Sequence, residues 1–278
     1  MTLPQKEDSY EEKVAGLRQV LSGYAASDMV LAFSGGVDSS LLLGMCCQAA
    51  RETEHKVYAI TVETRLHPSG DLPIAARVCR EMGAEHVVLH ADELLEAGIS
   101  ENPVDRCYRC KLCIFRKIKE FAEEREIPYV IEGTNEDDLH VYRPGIRALQ
   151  ELSIESPLAA CAMTKAEVRR LAAEYGISVA DRPSTPCMAT RFPYGARLDY
   201  EAMHQVELGE NWLRDQGFYN VRLRLHGDIL RIELDEQELD KVMLMRREVI
   251  EQMKSYGFLY ITLDLEGFRS GSMDVKIK

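Results

Sequence analysis

Ser34-Gly35-Gly36-Val37-Asp38-Ser39-Ser40 is the run whose residue types point most directly to chemistry. Where such a run turns a strand into a helix, its two glycines let backbone N–H groups point inward as an anion nest. The helix start adds its positive dipole end. Ser34, Ser39 and Ser40 offer hydroxyl donors to phosphate oxygens. No lysine stands where the GxxxxGK(S/T) loop needs one, and the spacing is not the GxGxxG of dinucleotide folds. The plain alternative is an ordinary strand–turn–helix corner, but the complete run with its flanks favours phosphate binding.

Three further groups are candidates. Glu132-Gly133-Thr134-Asn135-Glu136-Asp137-Asp138 carries adjacent carboxylates that could coordinate a metal or position a cation, with a solvated acidic turn as the alternative. Thr61, at the end of another strand, is a weaker candidate for the wall of a ligand pocket. Cys107 and Cys110, three apart at a helix start, share one face and could share a metal. A zinc half-site or a redox pair remains open for them, and Cys113 could add a further ligand. Cys46, Cys47, Cys79 and Cys161 stand in apolar contexts and read as buried thiols. Arg222 and Arg224 alternate along one strand and so share a face, and Arg269 follows in a donor-rich loop. Planar guanidinium forks suit phosphate or carboxylate, and a solvated charged face is the alternative. The histidines show no zinc-protease spacing, and no GxSxG elbow occurs.

The elements that would position these groups can be read from apolar spacing. Strands are expected at 29–33, 56–62, 86–90 and 129–132, alternating with helices over 10–26, 39–50, 72–82, 105–125 and 165–175. Short apolar strands between amphipathic helices imply βαβ units and a parallel sheet covered on both faces. Doubly wound sheets place ligand loops at strand carboxyl ends, where both the serine–glycine run and the acidic loop fall. Residues 181–186, with two prolines, read as a linker. Beyond it the expectation is helix 200–216, a hairpin of strands 220–226 and 229–234 through Gly227-Asp228, helix 236–255 and strand 259–265. The fold class is thus α/β, with a Rossmann-like domain over 1–182 and a smaller α+β domain over 183–278.

At 46% hydrophobic and 29% charged, the composition is that of a globular chain with material for a sizeable core. The net charge of −12 lacks the basic excess of proteins that live by phosphate-backbone contacts, so nucleic acid is not an expected partner. No apolar run is long enough to span a bilayer, and the acidic N-terminus is no secretory signal, so the expected address is cytoplasmic.

SGGVDS resembles the PP-loop of the N-type ATP pyrophosphatases, a Rossmann-like family that includes NAD and GMP synthetases and tRNA thiolation enzymes. The resemblance implies that Ser34, Gly35, Gly36, Val37, Asp38, Ser39 and Ser40 bind the β,γ-pyrophosphate of ATP, with Thr61, Gly133 and Thr134 contributing. Pyrophosphate would leave as a unit, AMP would pass to an acceptor oxygen, and Asp38 would help hold Mg²⁺.

The strings EGTNEDD, YRPGIRAL, ESPL, TKAEVRRLA and RPSTPCMATRFPYG, with GDILRIEL and GFRSGSM toward the end, are more particular. They resemble the LarE family, the pyridinium-3,5-biscarboxylic acid mononucleotide sulfurtransferases of nickel-pincer cofactor biosynthesis, over almost the whole chain. This implies adenylylation of a substrate carboxylate, displacement of AMP by a sulfur nucleophile, and release of a thiocarboxylate. Cys187 matches the sulfur-bearing cysteine. In one branch that cysteine is sacrificed to dehydroalanine. In another, three cysteines hold a 4Fe-4S cluster carrying an extra sulfide, for which Cys107, Cys110 and Cys187 would serve. One iron would then stay open to hydrosulfide or another sulfur source. The resemblance also implies that Arg222, Arg224 and Arg269, with Glu210 as a metal or substrate contact, hold the mononucleotide phosphate near Cys187, that Arg191 steadies charge at the adenylylated carboxylate, and that the domain over 183–278 serves substrate binding and homo-oligomerisation. An Fe–S tRNA thiolase and a zinc-stabilised, non-catalytic nucleotide sensor are the competing expectations.

Overall fold

A computed structural model describes residues 9–141, 143–182, 186–269 and 271–274. Residues 183–185 at the centre of the expected linker, and Tyr142 and Ser270 of the quoted motifs, lie outside the described residues. In chain order the elements begin α1 Tyr10–Tyr24, β1 Met29–Ala32, α2 Val37–Thr53, β2 Val57–Glu63, α3 Asp71–Met82 and β3 Glu85–His90. They continue α4 Glu93–Glu96, α5 Arg106–Glu123, β4 Tyr129–Ile131, α6 Glu136–Leu139, α7 Gly145–Glu151, α8 Pro157–Ala160 and α9 Lys165–Glu174. A 3₁₀ turn Met188–Arg191 then leads to α10 Tyr200–Asp215, β5 Arg222–His226, β6 Ile229–Glu233, α11 Leu239–Leu244, α12 Arg246–Ser255 and β7 Tyr260–Leu263.

The chain divides into two units. The first comprises Met1–Thr64, Ser69–Asp92 and Cys107–Ser184. Its four strands are all parallel in the order β3-β2-β1-β4. Alternation along β1 feeds two cores: Met29 and Leu31 join α1, α2 and α9 on one face, while Val30 joins Phe115, Ile118 and Phe121 of α5 on the other. The fully covered parallel sheet expected from the sequence is therefore present. The helix starts are set by local chemistry. Ser9 before α1 and Thr164 before α9 form capping boxes with Glu12 and Glu167, and the side chain of Asp199 caps α10.

The second unit comprises Arg65–Pro68, Glu93–Arg106 and Thr185–Lys278. It therefore takes in two stretches from before residue 183 that a single cut there would miss. Short backbone ties account for this: Met188 N donates to Leu66 O at 2.8 Å, Leu198 N to Ser100 O at 2.7 Å and Gly195 N to Asn102 O at 3.0 Å. Its sheet has the order β5-β6-β7, with β5 and β6 antiparallel through the Gly227-Asp228 turn and β7 parallel to β6.

Two stretches differ from the sequence reading. Residues 236–255 form a 3₁₀ turn and two helices rather than one, with the break at Met245. The buried Val242, Val249 and Met253 keep helical spacing across that break, so periodicity cannot reveal it. Between β4 and α9 lie α6, α7 and α8, each too short to show a period.

Leu42 is fully buried in the core cluster that contains α2 and α9. Leu42→Ala should lower unfolding free energy by roughly 2–5 kcal/mol in chemical denaturation. A loss under about 1 kcal/mol would contradict that packing.

Candidate active site

In the first unit β2 and β3 lie to one side of β1 and β4 to the other, so the chain reverses its direction of travel across the sheet between β1 and β4. Loops leaving the carboxyl ends of such strands part and open a crevice. The two loops here are Phe33–Gly36 and Glu132–Asn135, so the fold brings together the sequence groups expected to act jointly.

Gly36 is the N-cap of α2 and makes no side-chain capping bond, unlike the residues before α1, α9 and α10. First-turn N–H groups of α2 are thus not consumed by a cap. Ser34 Oγ accepts from Gly36 N at 3.3 Å and lies 3.2 Å from Ser39 Oγ, which donates to Gly36 O. Gly35 has φ +68°, and a Cβ there would lie 3.2 Å from Ala75 N, so glycine is required on both counts. Arg182 donates to Gly35 O at 3.1 Å and pairs with Asp71, holding the crest of the loop. Ser40 is sealed, and its hydroxyl has no hydrogen-bond partner among the described residues.

Asp38 is the convergence point. Its Oδ1 accepts from Asn135 Nδ2 at 3.1 Å, and its Oδ2 is paired with the Lys165 ammonium. Asn135 caps α6, and Lys165 opens α9 directly after its Thr164 cap. Gly133 presses its backbone on this corner: a Cβ would sit 3.0 Å from Ser39 N and 3.2 Å from Asp38 Cβ. Asp138, on the same short helix, has its pKa raised by burial, with the Asp38 charge adding to the effect; Arg143 and the Asn135 N–H oppose it. Thr134 is buried with its hydroxyl bonded to Glu132. Thr61 donates to Phe33 O and lies 2.9 Å from His86 Nε2, so its hydroxyl braces the exit of β1. The sequence reading missed Asn135, Lys165 and Arg182. The T-x-x-E capping signature at Thr164–Glu167 places Lys165 at a helix start, but its contact with Asp38 is tertiary.

In the second unit Cys187 immediately precedes the 3₁₀ turn. Its carbonyl accepts from Thr190 N at 3.0 Å, Thr190 Oγ1 at 2.8 Å and Arg191 Nη1 at 3.4 Å. Arg191 is 2% exposed and grips Glu210 with two bonds of 2.9 Å. Glu210 also accepts from Arg214 at 2.8 Å and Leu223 N at 3.0 Å. Burial works to raise the Glu210 pKa, but the Arg191 and Arg214 guanidinia with the Leu223 N–H hold it below the usual range. Arg191 and Glu210, expected to face substrate or metal, are instead sealed beneath the Cys187 turn with their polar atoms committed. Asn102 clamps the far end of that turn, donating to Phe192 O at 3.1 Å and Pro193 O at 2.8 Å.

The arginines of the small sheet divide in the same way. Arg224 is 5% exposed, bonded through Nε and Nη2 to Glu233 and through Nη1 to Thr190 O. Arg269 pairs with Asp264 and Glu266. Arg222 has no carboxylate partner among the described residues; it donates to Val221 O and lies over the Phe268 ring. Burial, aided by the nearby Arg191, Arg214 and Arg224 charges against the pull of Glu210, pushes its pKa down to about 10. A half-buried guanidinium among like charges has the chemistry to accept an anion.

The eight thiols fall into two sets. Cys46, Cys47 and Cys79 are buried; burial raises all three, Cys47 to about 11 and Cys79 to about 12, and Cys161 is raised for the same reason. The expectation of buried thiols therefore holds for Cys46, Cys47 and Cys79 but not for Cys161, which is only half-buried. Cys107 is exposed at the start of α5, and Cys110, Cys113 and Cys187 are half-buried. Among the described residues, no group of three or more His, Cys, Asp or Glu is arranged to hold a metal ion. No helix is long and apolar enough to cross a membrane among the described residues.

Comparison with known proteins places this geometry in a family context. The asparagine synthase family profile matches residues 25–108. The chain is 34% identical over 246 residues to the pyridinium-3,5-bisthiocarboxylic acid mononucleotide synthase of Lactiplantibacillus plantarum, covering 88% of each chain. It is 33% identical to an uncharacterized protein of Synechocystis sp., covering 95% of this chain and 97% of that one. A tRNA-specific 2-thiouridylase of Rickettsia bellii is 28% identical over 201 residues, covering 57% of this chain and 52% of that protein.

The two sets of thiols should separate chemically. A brief iodoacetamide pulse on the native protein at about pH 8 should modify Cys107 and spare Cys46, Cys47 and Cys79 until denaturant is added. Peptide mass mapping reads the result. Equal labelling of Cys46 and Cys107 in the native state would contradict these environments.

Proposed function

The chain belongs to the family of the pyridinium-3,5-bisthiocarboxylic acid mononucleotide synthases, also called LarE, and from that footing we propose that it is an ATP-dependent sulfurtransferase. Its substrate would be the carboxylate of a pyridinium mononucleotide, and its product a thiocarboxylate destined for a nickel-pincer cofactor. The observation that carries this reading is Asp38. Its carboxylate is held between Asn135 and Lys165 at an uncapped helix start beside the Ser34–Gly36 turn. That arrangement suits a Mg²⁺-bound triphosphate, with Asp38 toward the metal and Lys165 free to turn its ammonium toward phosphate oxygen.

In the first step a substrate carboxylate oxygen attacks the α-phosphorus of ATP. The bond to the bridging oxygen breaks, and pyrophosphate leaves into the nest formed by Ser34, Gly35, Gly36, Val37 and Ser39, with the sealed Ser40 beneath it. Gly133 and Thr134 form the opposite rim, and Thr61 fixes the strand exit. The acyl-adenylate then has AMP as its leaving group where the carboxylate had only oxide. In the second step a sulfur nucleophile adds to the acyl carbon and AMP departs.

Cys187 is the proposed sulfur bearer. Its carbonyl is pinned by Thr190 and by Arg191, itself locked on Glu210, so the turn presents the thiol on a fixed frame. Arg222 is the proposed ligand for the mononucleotide phosphate, with Arg224 and Arg269 shaping its surroundings. If Cys187 is spent, its thiolate forms a thioester; loss of the Cα proton and cleavage of Cβ–S then release the thiocarboxylate and leave dehydroalanine. The reading also assigns Cys107, Cys110 and Cys187 as ligands of a 4Fe-4S cluster. The chemistry of an all-thiolate donor set suits it, and such a cluster, when bound, would supply a renewable sulfide. Homo-oligomerisation is carried in the same proposal.

Asp38→Asn should slow substrate-dependent pyrophosphate release by about 100-fold or more. Cys187→Ser should abolish thiocarboxylate formation while leaving pyrophosphate release in place. Thiolation by the Cys187→Ser protein, or undiminished pyrophosphate release by Asp38→Asn, would defeat the reading. Iron with acid-labile sulfide in anaerobic wild type supports the cluster; metal-free protein that thiolates once and loses the Cys187 sulfur assigns the sacrificial route.

A further inference from the structure

Glu132 takes no part in the chemistry above, yet it sits under the corner that the chemistry needs. The residue is 6% exposed, and three donors from two segments are spent on it. Its Oε1 accepts from Thr134 N at 2.9 Å and Ser156 Oγ at 2.5 Å. Its Oε2 accepts from Thr134 Oγ1 at 2.9 Å and lies 3.7 Å from Lys111 Nζ. A buried carboxylate bonded in this way fixes the backbone it holds, since releasing any donor leaves charge and dipole unpaired in a dry site.

The backbone so fixed is the Asp38 corner. Gly133, next to Glu132, leaves no room for a side chain on this corner, for a Cβ there would lie 3.0 Å from Ser39 N and 3.2 Å from Asp38 Cβ. Asn135, next to Thr134, donates to Asp38 Oδ1. The ion-pair partner of Glu132 arrives from elsewhere: Lys111 follows Cys110 on α5. The Lys111 stem is itself confined, for a Cβ on Gly145 would come within 2.8 Å of its Cδ. A continuous set of contacts within the first unit therefore runs from the cysteine-bearing helix through Lys111 and Glu132 to Asn135 and Asp38.

We infer that Glu132 is a positioning residue that holds Asn135 against Asp38, and that Lys111 makes this seat depend on the cysteine-bearing end of α5. The inference rests on the proposal that Asp38 carries Mg²⁺-bound ATP. Nucleotide affinity is then coupled to the state of the helix that bears Cys107 and Cys110. Loosening that helix loosens the metal seat without touching a residue that contacts nucleotide.

The test is calorimetric titration of the full-length protein with ATP and Mg²⁺, without acceptor, beside steady-state kinetics and thermal melts. Glu132→Gln should weaken Mg²⁺–ATP binding about tenfold, the scale of one lost bond to a charged acceptor. KM for ATP should rise more than kcat falls, with the nucleotide-free melting midpoint within a few degrees of wild type. Lys111→Met keeps the stem and should weaken binding in the same direction; the double variant should be no weaker than Glu132→Gln alone, because both act through one contact. Ser156→Ala supplies an independent probe should Glu132→Gln not fold, with a smaller loss of about threefold expected. Wild-type affinity in Glu132→Gln or, failing that, in Ser156→Ala overturns the positioning role, as does an affinity loss matched by loss of folded protein in the melts. Wild-type affinity in Lys111→Met overturns the tie to α5. Asp38→Asn serves as the control: if it binds Mg²⁺–ATP as wild type does, the proposed site itself falls, whereas tight binding by Glu132→Gln beside a crippled Asp38→Asn removes only this inference.

Discussion

Strand β1 hydrogen-bonds in parallel to β2 along one edge and to β4 along the other. Parallel neighbours need helical crossovers, and those crossovers cover both faces of the sheet, leaving only strand ends for loops that must reach solvent or ligand. Because β4 joins on the side away from β2, the loop after β1 and the loop after β4 part at the same end of the sheet. Residues 97 positions apart, Asp38 and Asn135, meet there. Lys165 joins from 127 positions away because α9 packs beside α2. The parallel pairing of β1 with β4 is what brings Asn135 to Asp38.

The two units handle charge in opposite ways. The first keeps Asp38 and Lys165 partly open, with side chains 20% and 35% exposed, where a hard cation or a phosphate can replace one partner by the other. The second buries Arg191 against Glu210 and Arg224 against Glu233 almost completely. Burying such pairs costs desolvation that their attraction barely recovers, so they contribute little net stability. They fix geometry instead: the Cys187 carbonyl and the β5 strand are held by guanidinia that cannot rotate away. Arg222, without a carboxylate partner among the described residues, is the exception in this rigid frame.

Much of this was legible from the chain alone. The Ser34–Ser40 run could be interpreted because glycine and serine each have one physical use at a strand-to-helix turn. The parallel strands showed as apolar runs too short to be helices. Buried Cys46, Cys47 and Cys79 followed from their apolar neighbours. Partnering was not legible. Arg191 and Glu210 are 19 residues apart and look like any two exposed charges on helical segments until the fold closes one on the other. Glu132 reads as the first acid of an acidic loop, whereas it is sealed and the carboxylates after it are not. The break at Met245 escaped because apolar spacing runs through it undisturbed.

The division of the chain into units has a bearing on synthesis and on inheritance. The polypeptide passes from one unit to the other five times, with residues 65–68 and 93–106 serving as brief excursions into the second. As the chain leaves the ribosome, those excursions appear long before Thr185–Lys278, the segment they dock with, and must wait undocked while α5, β4 and α9 are made. The second unit therefore cannot be complete until its last segment has been made. A crossover in the gene between codons 102 and 192 would set Asn102 from one parent against Phe192 and Pro193 from the other, so the early and late segments of the second unit must match each other.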